Sequence, residues 1–484
     1  NATNYIYDER DLLYKVTDAL NSVTEYDYDL NANLAGIKDA KGNVTSYEYD
    51  DFDRLVKTTY PNLSDEQYTY DAESNLISQR TRKGDIITYT YDNLNRLDLK
   101  TYPDNSTVDY VYDIASCLTE VADSVERIAY SYDNLNRVIQ TRDSRPQSTD
   151  KIIKYEYDKL GNRTKLNYPD NFYISYSYDE LSRLTSLTQD AQPLAQYTYD
   201  ALSRRTGLNY ANNTQAAYQY DNVNRLLDLA NKVNGGVNIS TFAYTYDKAG
   251  NRLTKDEGRG TMDAVTSNYS YDDIYQLTQV TSPQSQTTSY AYDELGNRSS
   301  AEGKTYSANN LNQYTTVDTT TYSYDDNGNL INDGTWVYAY DYENRLISAS
   351  KTGTTATYKY DAFGRRIQKE VTQDAQLTTH NYIYDGDQII AEYDGSGALQ
   401  KKFIFGPGID EIISLTTQDA GPTTYYYHFD GLGSVTELSD ASGVVVEKYE
   451  YDAYGKTTIK DASDNVLTQS AIGNSYGFTG RELD

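Results

Sequence analysis

Apolar and polar positions alternate along most of this chain, and the alternation restarts at short, regular intervals. In Tyr89-Thr90-Tyr91-Asp92 the two tyrosines stand two residues apart, so in a strand they share one face. The residue between them varies from copy to copy: Ile6, Asp27, Glu48, Thr69, Val111, Ser131, Lys359. A position that accepts lysine, glutamate and isoleucine reads as a wetted face. After the Asp come a short turn, then Arg96-Leu97 and a second alternating run through Leu99. A second punctuation follows, either Pro-Asp-Asn as at Pro103-Asp104-Asn105 or a glycine as at Gly42 and Gly84. Each unit therefore predicts two strands and two turns.

The unit recurs. The second Tyr of Tyr-x-Tyr-Asp falls at 7, 28, 49, 70, 91, 112, 132, 157, 178, 199, 220, 246, 271, 292, 324, 340, 360 and 384. Nine of the seventeen intervals are 21 residues and the others run from 16 to 32, which means one supersecondary unit per repeat with insertions in loops. Asp and Arg stand four apart at Asp50/Arg54, Asp92/Arg96, Asp133/Arg137, Asp179/Arg183, Asp200/Arg204, Asp221/Arg225, Asp341/Arg345 and Asp361/Arg365. They stand five apart at Asp158/Arg163, Asp247/Arg252 and Asp293/Arg298, where Gly-Asn suggests one added residue at positive φ. The Asp is expected to cap the turn, and the Arg to return over it or stack on a Tyr. A row of catalytic or metal-binding carboxylates is the other use of such a pattern, but a repeated turn already explains a repeated Asp.

Two all-β folds satisfy the pattern. In one, each repeat is a β-hairpin and the hairpins join edge to edge into a long sheet. In the other, each repeat is a rung of a parallel β-helix. Two turn signals per repeat favour hairpins. A strip of about 36 strands at roughly 4.8 Å each would run about 170 Å. Sheet twist would curl it, and a ring so wide would enclose space as a hollow shell or barrel wall.

Residues 1–384 read as the hairpin array. From 385 to 484 the period decays and glycine becomes dense, as in a capping unit. This part carries Tyr427-His428-Phe429-Asp430-Gly431-Leu432-Gly433-Ser434-Val435, a late repeat at Tyr449-Glu450-Tyr451-Asp452, and Tyr476-Gly477-Phe478-Thr479-Gly480-Arg481-Glu482-Leu483-Asp484.

Composition narrows the function. The 484 residues carry 72 acidic and 43 basic side chains, a net charge of −29, which disfavours nucleic-acid binding and membrane-surface docking. Only 38% of residues are hydrophobic, yet 54 are Tyr, whose rings build a core while mean hydropathy stays negative. So many aromatics argue against disorder. No stretch of 18 apolar residues occurs, hence no spanning helix is expected. The chain opens at Asn1 without an initiator Met or a basic, apolar leader, as an excerpt of a longer polypeptide would.

Candidate chemistry is sparse. With one Cys, Cys117, no internal disulfide is possible, and with two His, His380 and His428, a zinc site is not expected. Cys117 sits where other repeats have Asn, and His428 sits mid-strand. Both read as structural. Asp325-Asp326-Asn327-Gly328-Asn329 resembles a calcium loop but lacks its downstream Glu, so a turn is expected. The Asn-x-Ser/Thr sequons at Asn43, Asn105 and Asn162 are what so Asn-rich a chain produces by chance. No catalytic, cofactor-binding or metal-ligating residue is nominated, and no cofactor is expected. A carbohydrate-active enzyme would need a clustered carboxylate pair, whereas the carboxylate patterns here are periodic.

The array together with the C-terminal blocks resembles the YD/Rhs-repeat family, and in particular the start of its Rhs-associated core. The resemblance covers the whole chain. It implies a strip of hairpins spiralling into a hollow cocoon. In bacterial Rhs proteins and the Tc-toxin C component the cocoon encloses a variable C-terminal toxin, and the core block plugs one end and frees the cargo by aspartyl self-cleavage. In teneurins a similar barrel serves adhesion. Asp484 matches the first Asp of the family's Asp-Pro-x-Gly motif, but the Pro and the partner Asp are missing, so self-cleavage is not expected of these residues. The resemblance implies a non-catalytic shell, secreted or at a cell surface. Its partners would be an enclosed toxin or other shell components. The alternative is a filament-forming or adhesive surface protein, without cargo, that self-associates or binds a surface ligand.

Overall fold

The computed structural model describes residues 2–483 except 147, 234, 283–285 and 419–420, so Asn1 and Asp484 lie outside the described residues. Its described regular structure is β-strand throughout, apart from one 3-10 turn at Phe478–Gly480. Successive strands pair antiparallel into long sheets of hairpins, and this pairing overturns the parallel-rung alternative.

The repeat explains its own geometry. Strand Ile86–Tyr91 turns through Asp92–Arg96 into strand Leu97–Thr101, with Leu97 opposite Tyr91 and a bulge just beyond. Asp92 N donates to Arg96 O at 2.9 Å, Asn95 N donates to Asp92 O at 3.0 Å, and Asn95 is left-handed at φ 59°. This is a type I turn with a left-handed third loop residue, a common three-residue hairpin connection. Asp92 Oδ1 accepts the backbone N–H groups of Leu94 and Arg96 at 2.8 and 3.1 Å. Its Oδ2 accepts Arg96 Nε at 2.7 Å.

Arg96 then reaches the next repeat. Its Nη1 donates to Asp113 O at 3.1 Å, and its guanidinium lies 4.6 Å from the Tyr112 ring centroid. Asp92 thus caps the turn, and Arg96 both returns over it and stacks on the next tyrosine. Tyr91 Oη points the other way, donating to Leu76 O of the preceding repeat at 2.9 Å, as Tyr70 does to Leu55 O. The hydrogen bond from Arg96 holds the Asp92 carboxyl below its ordinary range.

The five-spaced pairs are not insertions. Asp158 N closes on Asn162 O and Gly161 N on Asp158 O, the same loop length as at Asp92. Asn162 occupies the fourth position, with its Nδ2 donating to Asp158 Oδ2 at 2.8 Å. Arg163 comes one residue later, cross-strand from Tyr157 where other repeats place Leu. The left-handed residue is at the third position in both versions: Gly161 at φ 92°, Asn95 at 59°. Asn95→Val is accordingly expected to cost about 1–2 kcal/mol in urea unfolding and Asn95→Gly close to nothing, because only the β-branched residue strains there.

Two compact units form. One comprises residues 1–126, 269–281 and 286–378. In it most tyrosines are half-buried and few side chains, such as Ile87, Val108, Val121 and Ile367, are fully enclosed. The other comprises 127–268, 282–285 and 379–484. It holds a large apolar cluster that joins Ile174, Leu187, Leu208 and Phe242 of the array to Ile404, Ile412, Leu415, Tyr427 and Leu438. The residue between the tyrosines is exposed in every copy but the last: Ile383 is buried. There the strip acquires a second covered face.

Candidate functional site

In the second unit, strands Gln388–Tyr393, Leu399–Phe405, Ile412–Thr417, Thr423–Phe429 and Val435–Ser439 form successive antiparallel pairs. Their sequences, such as Gln388-Ile-Ile-Ala-Glu-Tyr393, lose the alternation of the repeats, and Val435–Ser439 is buried at every residue. Continuous apolar runs are what a strand covered on both faces requires.

One face meets array strands of the same unit through polar contacts set among the apolar ones. Tyr168 Oη donates to Phe403 O at 2.9 Å, and Asn212 Nδ2 to Ser439 Oγ at 2.9 Å and Asp440 O at 2.8 Å. Gly431 N donates to Tyr244 Oη at 2.8 Å, and a Cβ on Gly431 would stand 2.7 Å from the Tyr244 ring.

Among the described residues, ion pairs that cross this seam include Arg163–Asp385, Arg205–Glu411, Lys402–Asp170 and Arg259–Glu437. The last is the most enclosed, with the Glu437 side chain 2% exposed. Glu437 accepts Arg259 Nη1 at 2.8 Å, Ser240 Oγ at 2.8 Å and Thr436 Oγ1 at 2.8 Å. Arg259 Nη2 also donates to Tyr449 O at 2.9 Å. Burial pushes the Glu437 carboxyl up, and Arg259 pulls against that shift.

The other face receives the returning chain end. Glu447, 1% exposed, accepts Tyr449 Oη at 2.6 Å, Ser470 Oγ at 2.8 Å and the N–H groups of Ala471 and Ile472 at 2.5 and 3.2 Å. Asn474 joins Tyr427, Tyr449 and Tyr476. Val435 N donates to Gly477 O at 3.0 Å, and Phe478 lies against Gly455 and the Tyr451 ring. The terminal Tyr-Gly-Phe block is therefore a clasp laid over the strand that follows Asp430-Gly-Leu-Gly.

His428 is wholly buried between these layers. Its Nε2 lies 2.8 Å from Ser439 Oγ, its ring meets Tyr210 edge-on at 5.6 Å, and its Nδ1 has no partner. Burial lowers its pKa to about 3. His380 is distant in role: its Nδ1 is 2.6 Å from Glu392 Oε1, whose other oxygen takes Lys401 Nζ at 3.1 Å. Burial alone would raise Glu392, but the hydrogen bond from His380 and the charge of Lys401 outweigh it and hold it low. Cys117 fills the fourth turn position, donating its N–H to Asp113 Oδ1 at 2.9 Å, and burial pushes its thiol up. Asp325 spends both carboxylate oxygens on Asn329, as a turn does.

Arg163 and Arg205 belong to the seam, and sequence reasoning assigned neither a separate role. The signal was the spacing. A one-residue slip from the turn position puts the guanidinium at the start of the strand, on the tyrosine face, where Arg163 stacks on Tyr176 and Arg205 on Tyr197. A cleft of about 450 Å³ lies beside them, lined by Tyr178, Arg183, Tyr199 and Gly406–Gly408. All three of its arginines are already ion-paired, with Asp385, Asp179 and Glu411. The arrangement fastens one layer to another.

A family model described as the teneurin YD-shell matches residues 60–208 and 235–473, and one for the RHS repeat matches 31–63. A tRNA3(Ser)-specific nuclease WapA of Bacillus spizizenii is 32% identical over 227 residues, which is 44% of this chain and 9% of the relative. The tRNA nuclease WapA of Bacillus subtilis is 31% identical over 227 residues with the same coverage. The chain spans less than a tenth of the length of these curated relatives. The Tc holotoxin pore of Photorhabdus luminescens is similar at a TM-score of 0.85 and 16% identity, over 100% of this chain and 28% of that one. The TcdB2-TccC3 crystal structure is similar at 0.85 and 16%, over 100% and 30%. At that identity the likeness is one of fold.

Proposed function

The chain belongs to the teneurin YD-shell family, and from that premise we propose that it forms part of a structural, non-catalytic shell around a polypeptide cargo. The cargo is a toxin or effector of a secreted bacterial protein. Residues 1–384 are the wall. Residues 385–484 are a cap that closes one end and fixes where the cargo begins.

One observation carries this reading. The C-terminal strands are buried on both faces, ion-paired to array strands beneath and clasped by the Tyr476–Leu483 segment above. Any repeat array needs a capped end, and ion pairs on one face with a clasp on the other give this cap the firm hold that a plug over contents requires. The fold shared with the Tc-toxin structures and the kinship with WapA nucleases support a toxin context.

Electron microscopy of the purified chain should give a hollow shell or an open curved wall several nanometres wide. A protease-sensitive segment joined after residue 484 should be cut much more slowly than the same segment free. A thin solid rod, or equal cutting rates, would sink encapsulation and leave a cargo-free surface protein.

A further inference from the structure

The two tyrosines of a repeat use their hydroxyls differently. In the first unit the second tyrosine is spent inside the sheet: Tyr49 Oη donates to Leu34 O at 2.9 Å, as Tyr70 and Tyr91 do to Leu55 O and Leu76 O. The first tyrosine is not committed in that way. Tyr26, Tyr47 and Tyr110 are half-buried, and their hydroxyls have no hydrogen-bond partner among the described residues.

The face that these rings share is otherwise apolar where it is most enclosed. Tyr110 stands opposite Val121, and Val108 lies two residues before it on the same strand. The opposite face of the same sheet carries cross-strand charge instead: Glu25 with Lys15 and Lys38, Glu48 with Lys57, and Asp65 with Arg80.

The second unit shows what the tyrosine face does when strands lie on it: it binds their main chain. Tyr168 Oη donates to Phe403 O at 2.9 Å, Asn231 Nδ2 to Phe429 O at 3.0 Å, and Arg259 to Thr436 O and Tyr449 O at 3.3 and 2.9 Å. A first tyrosine takes part, since Tyr244 Oη accepts Gly431 N at 2.8 Å. These side chains belong to the tyrosine face. Leu166, two before Tyr168, is opposite Tyr155; Leu229, two before Asn231, is opposite Tyr218; and Arg259 is opposite Ser240, four before Tyr244.

We infer that the tyrosine face of the first unit is a docking surface for extended polypeptide. The hydroxyls of Tyr26, Tyr47 and Tyr110 hold its main chain and the rings cover its apolar side chains. The inference deepens the shell reading and rests on it for the occupant, which is the cargo. Main-chain groups are the same in every polypeptide, so a surface that binds them accepts many sequences. Tyrosine suits the task, because its ring is apolar and its hydroxyl both donates and accepts. Tyr26 and Tyr47 stand two strands apart, roughly 9.6 Å, which is the span of about three residues of extended chain.

Fluorescence anisotropy would measure this with an unstructured, fluorescein-labelled peptide of mixed apolar and polar residues. The peptide is added to the full chain and, separately, is present while the chain refolds from urea. Binding is expected in at least one of the two mixtures, and a scrambled sequence should bind within about threefold. Replacing alternate amides of the peptide by esters, which are weaker acceptors and lack the N–H, should cost at least about tenfold. So should the triple change Tyr26→Phe, Tyr47→Phe and Tyr110→Phe, with an unaltered thermal melt. Tyr49→Phe should instead lower the melting temperature and leave the affinity alone, because that hydroxyl serves the sheet. No binding in either mixture, a strong dependence on sequence, or indifference to the ester and phenylalanine changes overturns the inference. Displacement of the peptide by maltoheptaose overturns it too, in favour of a glycan. Shielding of a fused segment from protease is a separate readout: its loss sinks the shell, whereas the peptide results sink only the docking surface.

Discussion

Arg259→Met is expected to loosen the C-terminal strands by about 3–5 kcal/mol, the usual consequence of removing one partner of a buried ion pair. Arg259 binds Glu437, Tyr449 O and Glu257 at once, with a side chain 13% exposed. Without it, Glu437 keeps only the hydroxyls of Ser240 and Thr436. Burial already raises the pKa of this carboxyl, and a group raised in the folded state contributes stability below its unfolded pKa and loses it as pH rises through the folded value. The variant should therefore suffer less at pH 5 than at pH 8. Arg259→Met with Glu437→Gln should recover much of the loss, since no charge is then stranded. Hydrogen exchange across Val435–Tyr451 with a urea melt would measure it. A loss under about 1 kcal/mol would mean that the apolar contacts alone hold the seam.

Local features were legible from the residues. The hairpin, the Asp cap and the Arg–Tyr stack arise within one repeat or between neighbours, so period, turn residues and spacing reveal them. The antiparallel sense followed from there being two turn signals rather than three. The five-spaced arginines misled because spacing was read as loop length. Asn162 in the fourth position was the clue that the loop had not grown. What the repeat pattern could not reveal was the second face. Ile383 stands in a position that is wet in the other copies, and only pairing across the chain explains its burial. Arg163 and Asp385 lie 222 residues apart, so no local period connects them. His428 likewise looks like one more variable middle residue until the array strand carrying Tyr210 is seen against it.

That histidine should make the C-terminal seam acid-sensitive. Burial depresses its pKa to about 3, from an ordinary value near 6.5, so between those values the unfolded chain binds a proton that the folded chain refuses. Stability contributed by the neutral ring is complete above pH 6.5 and falls as pH drops, by about 1.4 kcal/mol per unit. From pH 7 to pH 5 the loss should be about 2 kcal/mol. The surroundings offer the imidazolium little: Ser439 Oγ already receives Asn212 Nδ2, Tyr210 presents a ring, and Glu437, opposite in register, is held by Arg259. The shifted carboxyls act elsewhere or with opposite sign. The turn aspartates, held low by their Arg and backbone donors as at Asp50 and Asp92, lose their contribution only as pH falls through values below 3.8. The raised carboxyls of Glu437 and Asp430 favour the folded state toward acid. His428→Gln should therefore flatten the urea-melting profile between pH 6.5 and 5, or tilt it slightly the other way, while leaving the steep loss below pH 4 in place. An unchanged slope in that variant would assign the acid response to the carboxylates of the seam and leave His428 as inert packing.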